Sequence, residues 1–556
     1  LTQDIIQRML GFKFISEKTL ESFKDTGMLK KVQAFVDGIN QYIDDAKEGR
    51  EFGGIKARVP LQYQIIKAEP QYFSVVDVIA VGKNRSFDLS GGGLIDLASK
   101  LMQLIFGDKF EKIFSISPIE KVKVVDDFPR LRITPFSSSG QNINRKEIEN
   151  LVDAISQKLR NLKFPIPLAS NNFVVSGKIT KTGYPILEND PHLDVISPST
   201  FFPVQINSPE YSVKGFTFPG IPVVLVGASD NVCWGVTTTL IDTMDIVFSE
   251  VVQEDDKFFV WWGGKKIQAE PIEEEVKYKD GNNFRSVKIK ILYVPNIGVV
   301  LDAGNIEGFS SILSFLFNIL GTESGGENEF VNNIRKLLKY VFTVGIVSDE
   351  QKDKVPNLGI ILAWPGYKPT SEVAAFYGLG HVKDIFEAMT QVKFFQVGIQ
   401  NFIVADIKGN IGYFPHGEIP IRPQGVKPYL PDLSERLFWV GFLSPDFIPR
   451  AINPTSGYIV TANNDIIGTS FDNDPLNERF YLGPVYDFGF RAKNISIQIE
   501  KNKQNIDKIK AAQILNSAES ELAKLFLNVF FKFISDEDIQ AISENEEKKE
   551  FIRFML

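Results

Sequence analysis

Leu168-Ala169-Ser170-Asn171-Asn172-Phe173-Val174-Val175-Ser176-Gly177 marks the point where this 556-residue chain changes from helical to strand-like patterning. Taken alone, Ser-Asn-Asn ahead of Phe-Val-Val is an ordinary turn leading into a short strand: small polar side chains bond their own backbone, and branched apolar residues fit a pleated surface. Upstream, Leu20, Phe23, Leu29, Val32, Phe35, Val36, Ile39 and Ile43 recur at helical spacing and predict a helix over 16–47, with Ser16 as its cap. Further helices are predicted over 94–105 and 144–162, the last stopped by Phe164-Pro165-Ile166-Pro167, because proline lacks an amide hydrogen and restricts the residue before it. Downstream, short β-branched runs at 174–175, 223–226, 236–239 and 258–262 lie between clusters of Gly, Pro, Asn and Asp. Val287, Ile289 and Ile291 alternate with Lys288 and Lys290, a strand with one wet face, after the hairpin turn Asp280-Gly281-Asn282-Asn283. Helices return over 328–342, over 381–390 and from Ile506 onward. Helices, then strands, then helices argue for an α+β fold with layered sheets rather than an alternating doubly wound one.

Composition narrows the chemistry. The chain is 44% hydrophobic and 23% charged, as globular proteins are. Its net charge of -8 leaves no basic field for nucleic acid or acidic lipid. A single Cys, Cys233, excludes an intrachain disulfide framework and a Cys-based metal knuckle. No stretch reaches the ~18 apolar residues that a membrane span needs; the most apolar run, Phe309 to Leu320, is broken by Ser and Asn. The chain opens on Leu1 and closes in the helix-like run Glu550 to Leu556, so both ends read as cut and any leader lies upstream. His192, His381 and His416 are the only histidines, and none are spaced i, i+4 for a metal. A G-x-S-x-G elbow, a Walker loop and G-x-G-x-x-G are all missing, and Gly91-Gly92-Gly93 is a flexible turn.

The opening stretch continues through Thr182-Gly183-Tyr184-Pro185-Ile186-Leu187-Glu188-Asn189-Asp190-Pro191-His192-Leu193, and the whole resembles the start of the catalytic chain in the penicillin acylase family of N-terminal nucleophile hydrolases. Other segments carry the resemblance in the family's order and approximate spacing. Phe35-Val36-Asp37-Gly38-Ile39-Asn40 and Pro60-Leu61-Gln62-Tyr63 look like its light-chain signatures. Phe218-Pro219-Gly220-Ile221-Pro222 leads to Cys233-Trp234-Gly235-Val236-Thr237-Thr238 and to Asp242-Thr243-Met244-Asp245. Gln400-Asn401-Phe402, Ala405-Asp406, Gly409-Asn410-Ile411-Gly412-Tyr413 and Ile419-Pro420-Ile421-Arg422 follow, then Asn453-Pro454 and Gly457-Tyr458-Ile459-Val460-Thr461-Ala462-Asn463-Asn464.

The resemblance implies a four-layer αββα sandwich with a helical light-chain region. It implies a mostly helical light chain with a spacer within 1–169 and a catalytic heavy chain over 170–556, forming a heterodimer after the backbone cuts itself before Ser170. Ser170 would then supply both a nucleophilic hydroxyl and a free α-amine as base. The backbone N–H of Thr238 and the side-chain amide of Asn463 would hold the oxyanion, and His192 would orient Ser170. The substrate would be a small N-acyl compound, with Leu193 and Val226 lining its acyl pocket. Asp242, the Met244 carbonyl, Asp245 and Asp474 match the family's calcium ligands, so a structural Ca2+ is implied; without the resemblance these are ordinary loop carboxylates. An extracytoplasmic location is implied by resemblance alone. His381 and His416 match no role and read as surface or structural residues.

The chain departs from the family at three places. Ala169 stands where Gly is usual before the cut, and Gly227-Ala228-Ser229 replaces the usual Gly-His-Asn. The light-chain Glu that completes the calcium site has no counterpart in Gly91-Gly92-Gly93-Leu94. Two other classes stand beside the acylase reading. One is a processed homologue that only binds; Ser170, His192, Thr238 and Asn463 together weigh against it. The other is a carbohydrate-active enzyme with paired carboxylates, which no Asp or Glu pair here singles out.

Overall fold

A computed structural model describes residues 2–23, 26–90, 116–126, 128, 169–193, 195–197, 199–280, 283–302, 358–429 and 437–533. The helices expected over 94–105, 144–162 and 328–342 lie outside them, as do the proline stop at 164–167 and the apolar run at 309–320. Where one helix was expected over 16–47 there are two, Phe12–Phe23 and Gly27–Glu48. Thr26 between them takes an extended backbone and its hydroxyl bonds back to the Phe23 carbonyl. The apolar stripe carries across that break, so periodicity does not register it. A further helix, Val75–Leu89, was missed although Ser74 and Asp77 form a full capping box at its start.

Among the described residues the strand-rich region holds a three-stranded sheet, a seven-stranded sheet, a two-stranded ribbon and a barrel. Strand β3 (Ala169–Val175) lies between β4 (Ile186–His192) and β20 (Tyr458–Thr461) in a three-stranded antiparallel sheet. The seven-stranded sheet runs β19 (Ala451–Ile452), β16 (Ile411–Tyr413), β15 (Gln400–Asp406), β8 (Val232–Thr238), β7 (Val226–Ser229), β6 (Ser212–Thr217) and β5 (Phe202–Asn207). The two sheets pack face to face through β3, β4, β8 and β15. Alternation along the strands builds the cores on either side. Val174 of β3 joins Ile403 and Ala405 of β15 in the core between the sheets. Phe173 and Val175 point the other way, against Ala492, Ile495 and Ile499 of the helix Phe490–Asn502. Phe402 and Val404 of β15 meet Ala375, Phe376 and Ile385 of the helices Glu372–Leu379 and Ile385–Gln391. Strands buried on both faces read as continuous apolar runs, as Phe-Val-Val does.

Six strands close a barrel: β9 (Asp245–Glu254), β10 (Lys257–Trp262), β11 (Lys265–Asp280), β12 (Asn283–Val294), β13 (Gly298–Asp302) and β14 (Leu358–Ala363). The expected hairpin is there, with Asp280 paired to Asn283 across the turn, and so is the alternating strand at 287–291 within β12. The N-terminal helices share one core with the barrel, where Leu10, Phe12, Ile15 and Phe87 meet Ile246, Ile291 and Trp364.

Lys83 of the helix Val75–Leu89 is buried, and its Nζ donates to the Gly366 and Lys368 carbonyls and to Thr370 Oγ1. Burial pulls its pKa down to about 8, against the pull of Glu372 and Glu418. Because the folded value lies below the unfolded one, the folded protein sheds this proton first, and stability gains from Lys83 as pH rises from about 8 to the ordinary lysine range near 10.4. In urea melts across that range, Lys83→Met is expected to lose this rise relative to the parent. Parallel pH curves for the two proteins would show that Lys83 titrates normally.

Candidate active site

Ser170 is the second residue of β3, buried, with Ser170, Asn172 and Val174 directed between the sheets. Its hydroxyl donates to the carbonyl of Ala169 at 2.7 Å, the peptide immediately before it. Its backbone N–H donates to Asn463 Oδ1 at 2.8 Å. Asn463 follows β20 in the left-handed region at φ 60°, a conformation that Asn tolerates better than most residues. Its Nδ2 donates to the Thr238 carbonyl at 2.7 Å. Thr239 N–H bonds Ile399 on the β15 side. Successive strand residues address opposite edges, so the N–H and C=O of Thr238 face the other edge, which β7 leaves uncovered beyond Trp234. Ser170, Asn463 and Thr238 are thus brought together from three segments far apart in sequence.

Arg491 was not foreseen and is the organising cation of the site. From the helix Phe490–Asn502 its Nη1 donates to the Ser170 carbonyl (2.8 Å) and Asn171 Oδ1 (2.7 Å), while its Nη2 donates to Asn463 Oδ1 (3.0 Å). Asp487 pairs with it at 2.9 Å one turn away, and the Asp487 N–H bonds the Asn463 carbonyl. Only its place at a helix start, after Asp487, could have drawn notice. Below the site a buried polar chain crosses both sheets. Tyr413 donates to Asn401, Asn401 Nδ2 donates to Thr237 and to the Thr238 carbonyl, Thr237 bonds Thr461, and Thr461 donates to Asn172. A Cβ on Gly235 would stand 2.5 Å from Asn189 Oδ1, so the Trp-Gly step is what lets β4 lie close over β8.

His192 is not brought to the Ser170 hydroxyl in the intact chain. It pairs across from Ala169 while Ser170 faces Pro191, which puts His192 on the opposite face of the sheet, and its Nε2 lies 2.6 Å from Asp190 Oδ2. Leu193 packs against the core under the seven-stranded sheet, and Val226 opposes the exposed Phe216 at the head of β7. Asp242 and Asp245 adjoin one another, but the Asp474 carboxylate is engaged elsewhere, accepting the Leu476 N–H. His416 is buried, its Nδ1 against the Phe395 carbonyl, and burial lowers its pKa; His381 stacks on Tyr211.

The Ser170 hydroxyl thus touches the carbonyl of the residue before it, on the inner strand of packed sheets in an α+β protein. The penicillin amidase family model matches residues 1–552, and the chain belongs to that family. It is 22% identical over 402 residues to the acyl-homoserine lactone acylase QuiP of Pseudomonas fluorescens, covering 72% of this chain and 42% of that one. It is 22% identical over 478 residues to a penicillin acylase 2 proenzyme of a Pseudomonas species, covering 84% and 51%. Penicillin G acylase of Escherichia coli is 24% identical over 301 residues, covering 54% and 29%. The chain therefore spans about half or less of the length of these relatives. A solved thermostable penicillin G acylase from Alcaligenes faecalis overlays with a TM-score of 0.47 at 16% identity, covering 67% of this chain and 57% of that one. Among the described residues, no helix is long and apolar enough to cross a membrane.

Proposed function

We propose that this protein is a self-processing N-acyl amide hydrolase that cleaves a linear amide to a carboxylic acid and an amine through an acyl-serine. The observation that carries the reading is the contact of Ser170 Oγ with the Ala169 carbonyl while Asn463 and Arg491 hold the Ser170 backbone from both sides. In processing, Oγ attacks the Ala169 carbonyl carbon, the C–N bond to Ser170 breaks, and the nitrogen leaves as an amine with the hydroxyl proton. Water then hydrolyses the resulting ester, giving a carboxylate at Ala169 and a free Ser170 bearing hydroxyl and amine. An α-amine titrates near 7.7–8.0, so it is partly neutral at physiological pH and can take the hydroxyl proton in turnover. The substrate carbonyl then becomes an oxyanion facing the Asn463 amide and the Thr238 N–H. Asn463 Nδ2 has two hydrogens, one given to the Thr238 carbonyl and one left for that oxyanion.

Processing would leave a heterodimer whose light part is held by the core shared between the N-terminal helices and the barrel. The helix, sheet, sheet, helix order fits a four-layer αββα sandwich. The relatives named for acyl-homoserine lactones and penicillin point to small N-acyl amides as substrates. Cleavage would also free the strand end carrying Ala169, giving His192 room to turn toward Ser170. The test is the intact mass and N-terminal sequence of the purified gene product, followed by a panel of chromogenic N-acyl amides. Two chains, the heavier beginning at Ser170, and release of the chromogenic amine are expected. One uncut chain without turnover across the panel would sink the proposal.

A further inference from the structure

The turn from Asp242 to Asp245 is where the family resemblance implies calcium, and the residues around it do not fit that ion. Calcium needs about 6–8 oxygens whose lone pairs converge on one point. Here all four carboxylate oxygens already accept hydrogen bonds. Arg422 Nε donates to both oxygens of Asp245 at 3.0 and 2.9 Å, and Trp439 Nε1 donates to Asp245 Oδ2 at 2.6 Å. Asp242 Oδ1 accepts from the Met244 N–H at 3.3 Å and from Arg422 Nη2 at 3.4 Å, and Asp242 Oδ2 accepts from Tyr481 at 2.8 Å. Arg422 Nη1 takes the Asp242 carbonyl at 3.2 Å. The space between the carboxylates is filled by a cation that presents hydrogens, and its side chain is only 2% exposed. Among the described residues, no group of three or more His, Cys, Asp or Glu side chains is arranged to hold a metal.

We infer that the Arg422 guanidinium is the resident cation of this turn, and that the segment from Thr238 to Asp245 is held without a divalent metal. The planar fork suits the task, since it reaches two carboxylates and a carbonyl at once. Two carboxylates against one guanidinium leave an excess negative charge, which the Trp439 N–H and Tyr481 hydroxyl help to neutralise; the Tyr481 ring also lies under the guanidinium, 5.3 Å from its carbon. The turn needs such a tie. Leu240 sits in the left-handed region at φ 60°, which bulky side chains rarely adopt, so its surroundings must hold it there. The Asp242 N–H bonds the Leu482 carbonyl at 2.7 Å, and Arg422 follows β17 (Pro420–Ile421), so one guanidinium joins the end of β8, the start of barrel strand β9 and the β17 segment. Ile419-Pro420-Ile421-Arg422 stood out in the sequence, but its arginine had no assigned partner there.

The inference goes beyond the acylase reading and stands or falls without it, because it is read by stability. The purified full chain is melted in chelator and in millimolar calcium, beside elemental analysis of its metal content. Superimposable curves and calcium far below one ion per chain are expected. A fall in Tm with chelator that calcium reverses, together with stoichiometric calcium, would overturn the inference. Arg422→Gln is expected to melt lower and to become stabilised by calcium, since it leaves buried carboxylates without their cation; Arg422→Lys should fall between it and the parent. An Arg422→Gln protein that melts with the parent also overturns the inference. The measurement on the parent decides even where a variant does not fold.

Discussion

Ser170→Ala is expected to arrive as a single uncut chain and to hydrolyse no N-acyl amide above background. Both outcomes follow from one atom. Oγ donates to the Ala169 carbonyl at 2.7 Å, and among the described residues no other hydroxyl bonds that carbonyl. Without Oγ the N-to-O shift has no nucleophile, so the α-amine is never freed and turnover lacks its base as well as its nucleophile. The loss should be complete rather than partial. Folding should be nearly untouched, because the Ser170 N–H bond to Asn463 and the Arg491 bond to the Ser170 carbonyl are backbone contacts that Ala keeps. Ser170→Cys is the informative companion: a thiol restores a nucleophile of similar size, so some cleavage should return. The checks are gel and intact-mass time courses beside the parent. An Ala variant that splits between Ala169 and position 170 at the parent's rate would end the processing scheme. Ala169→Gly tests the same step from the other side. It loosens the backbone before the cut, as the residue more usual there does, and should leave cleavage at least as fast.

How much of this could be read from the chain differs by element. The α+β class and a strand at 174–175 were legible, because Phe173-Val174-Val175 fits a strand buried on both faces and helical stripes precede it, but Ser170-Asn171-Asn172, which read as a turn, already belong to that strand. The hairpin at 280–283 was legible from turn chemistry, and β12 from its alternation. Barrel closure was not, since pairing β9 with β14 joins residues from 108 (Glu250 with Leu358) to 118 (Asp245 with Ala363) positions apart, and no local pattern encodes which strands meet. In the site, Ser170, Thr238 and Asn463 were named from motifs and are brought together. Arg491 was invisible because its role comes from a helix docking over β3, not from neighbouring sequence. His192 shows the limit of position matching. Its place in the strand register is clear, yet register also turns it away from Ser170 in the uncut chain. Asp242 and Asp245 show another limit, since a pair of acids reads alike whether a metal or a buried guanidinium answers it.

Asn463→Ala is expected to lower kcat by ~10²–10³-fold, the usual effect of deleting one oxyanion donor, about 3 kcal/mol of transition-state stabilisation. The geometry gives Asn463 two separable jobs. Its Oδ1 receives the Ser170 N–H and Arg491 Nη2, which positions the nucleophile. Its Nδ2 reaches the Thr238 carbonyl with one hydrogen and has the second for developing charge. Truncation removes both jobs and leaves the buried Thr238 carbonyl only its longer bond from Asn401 Nδ2 at 3.3 Å, so Tm should fall as well, and kcat must be read below the melt. Asn463→Asp separates the jobs. It keeps an acceptor for Ser170 N and a partner for Arg491, but it has no hydrogen to donate and brings negative charge toward the oxyanion. Its hydrolysis should therefore fall at least as far as that of the Ala variant, while the Arg491 contact favours a folded protein. Each variant is assayed by kcat and KM on material shown by mass to be cut at Ser170, so that slow processing is not mistaken for slow turnover. A loss confined to KM would place Asn463 in substrate binding. An Asp variant turning over at the parent's kcat would remove the Nδ2 donor from the mechanism and leave Asn463 only its hold on the Ser170 nitrogen.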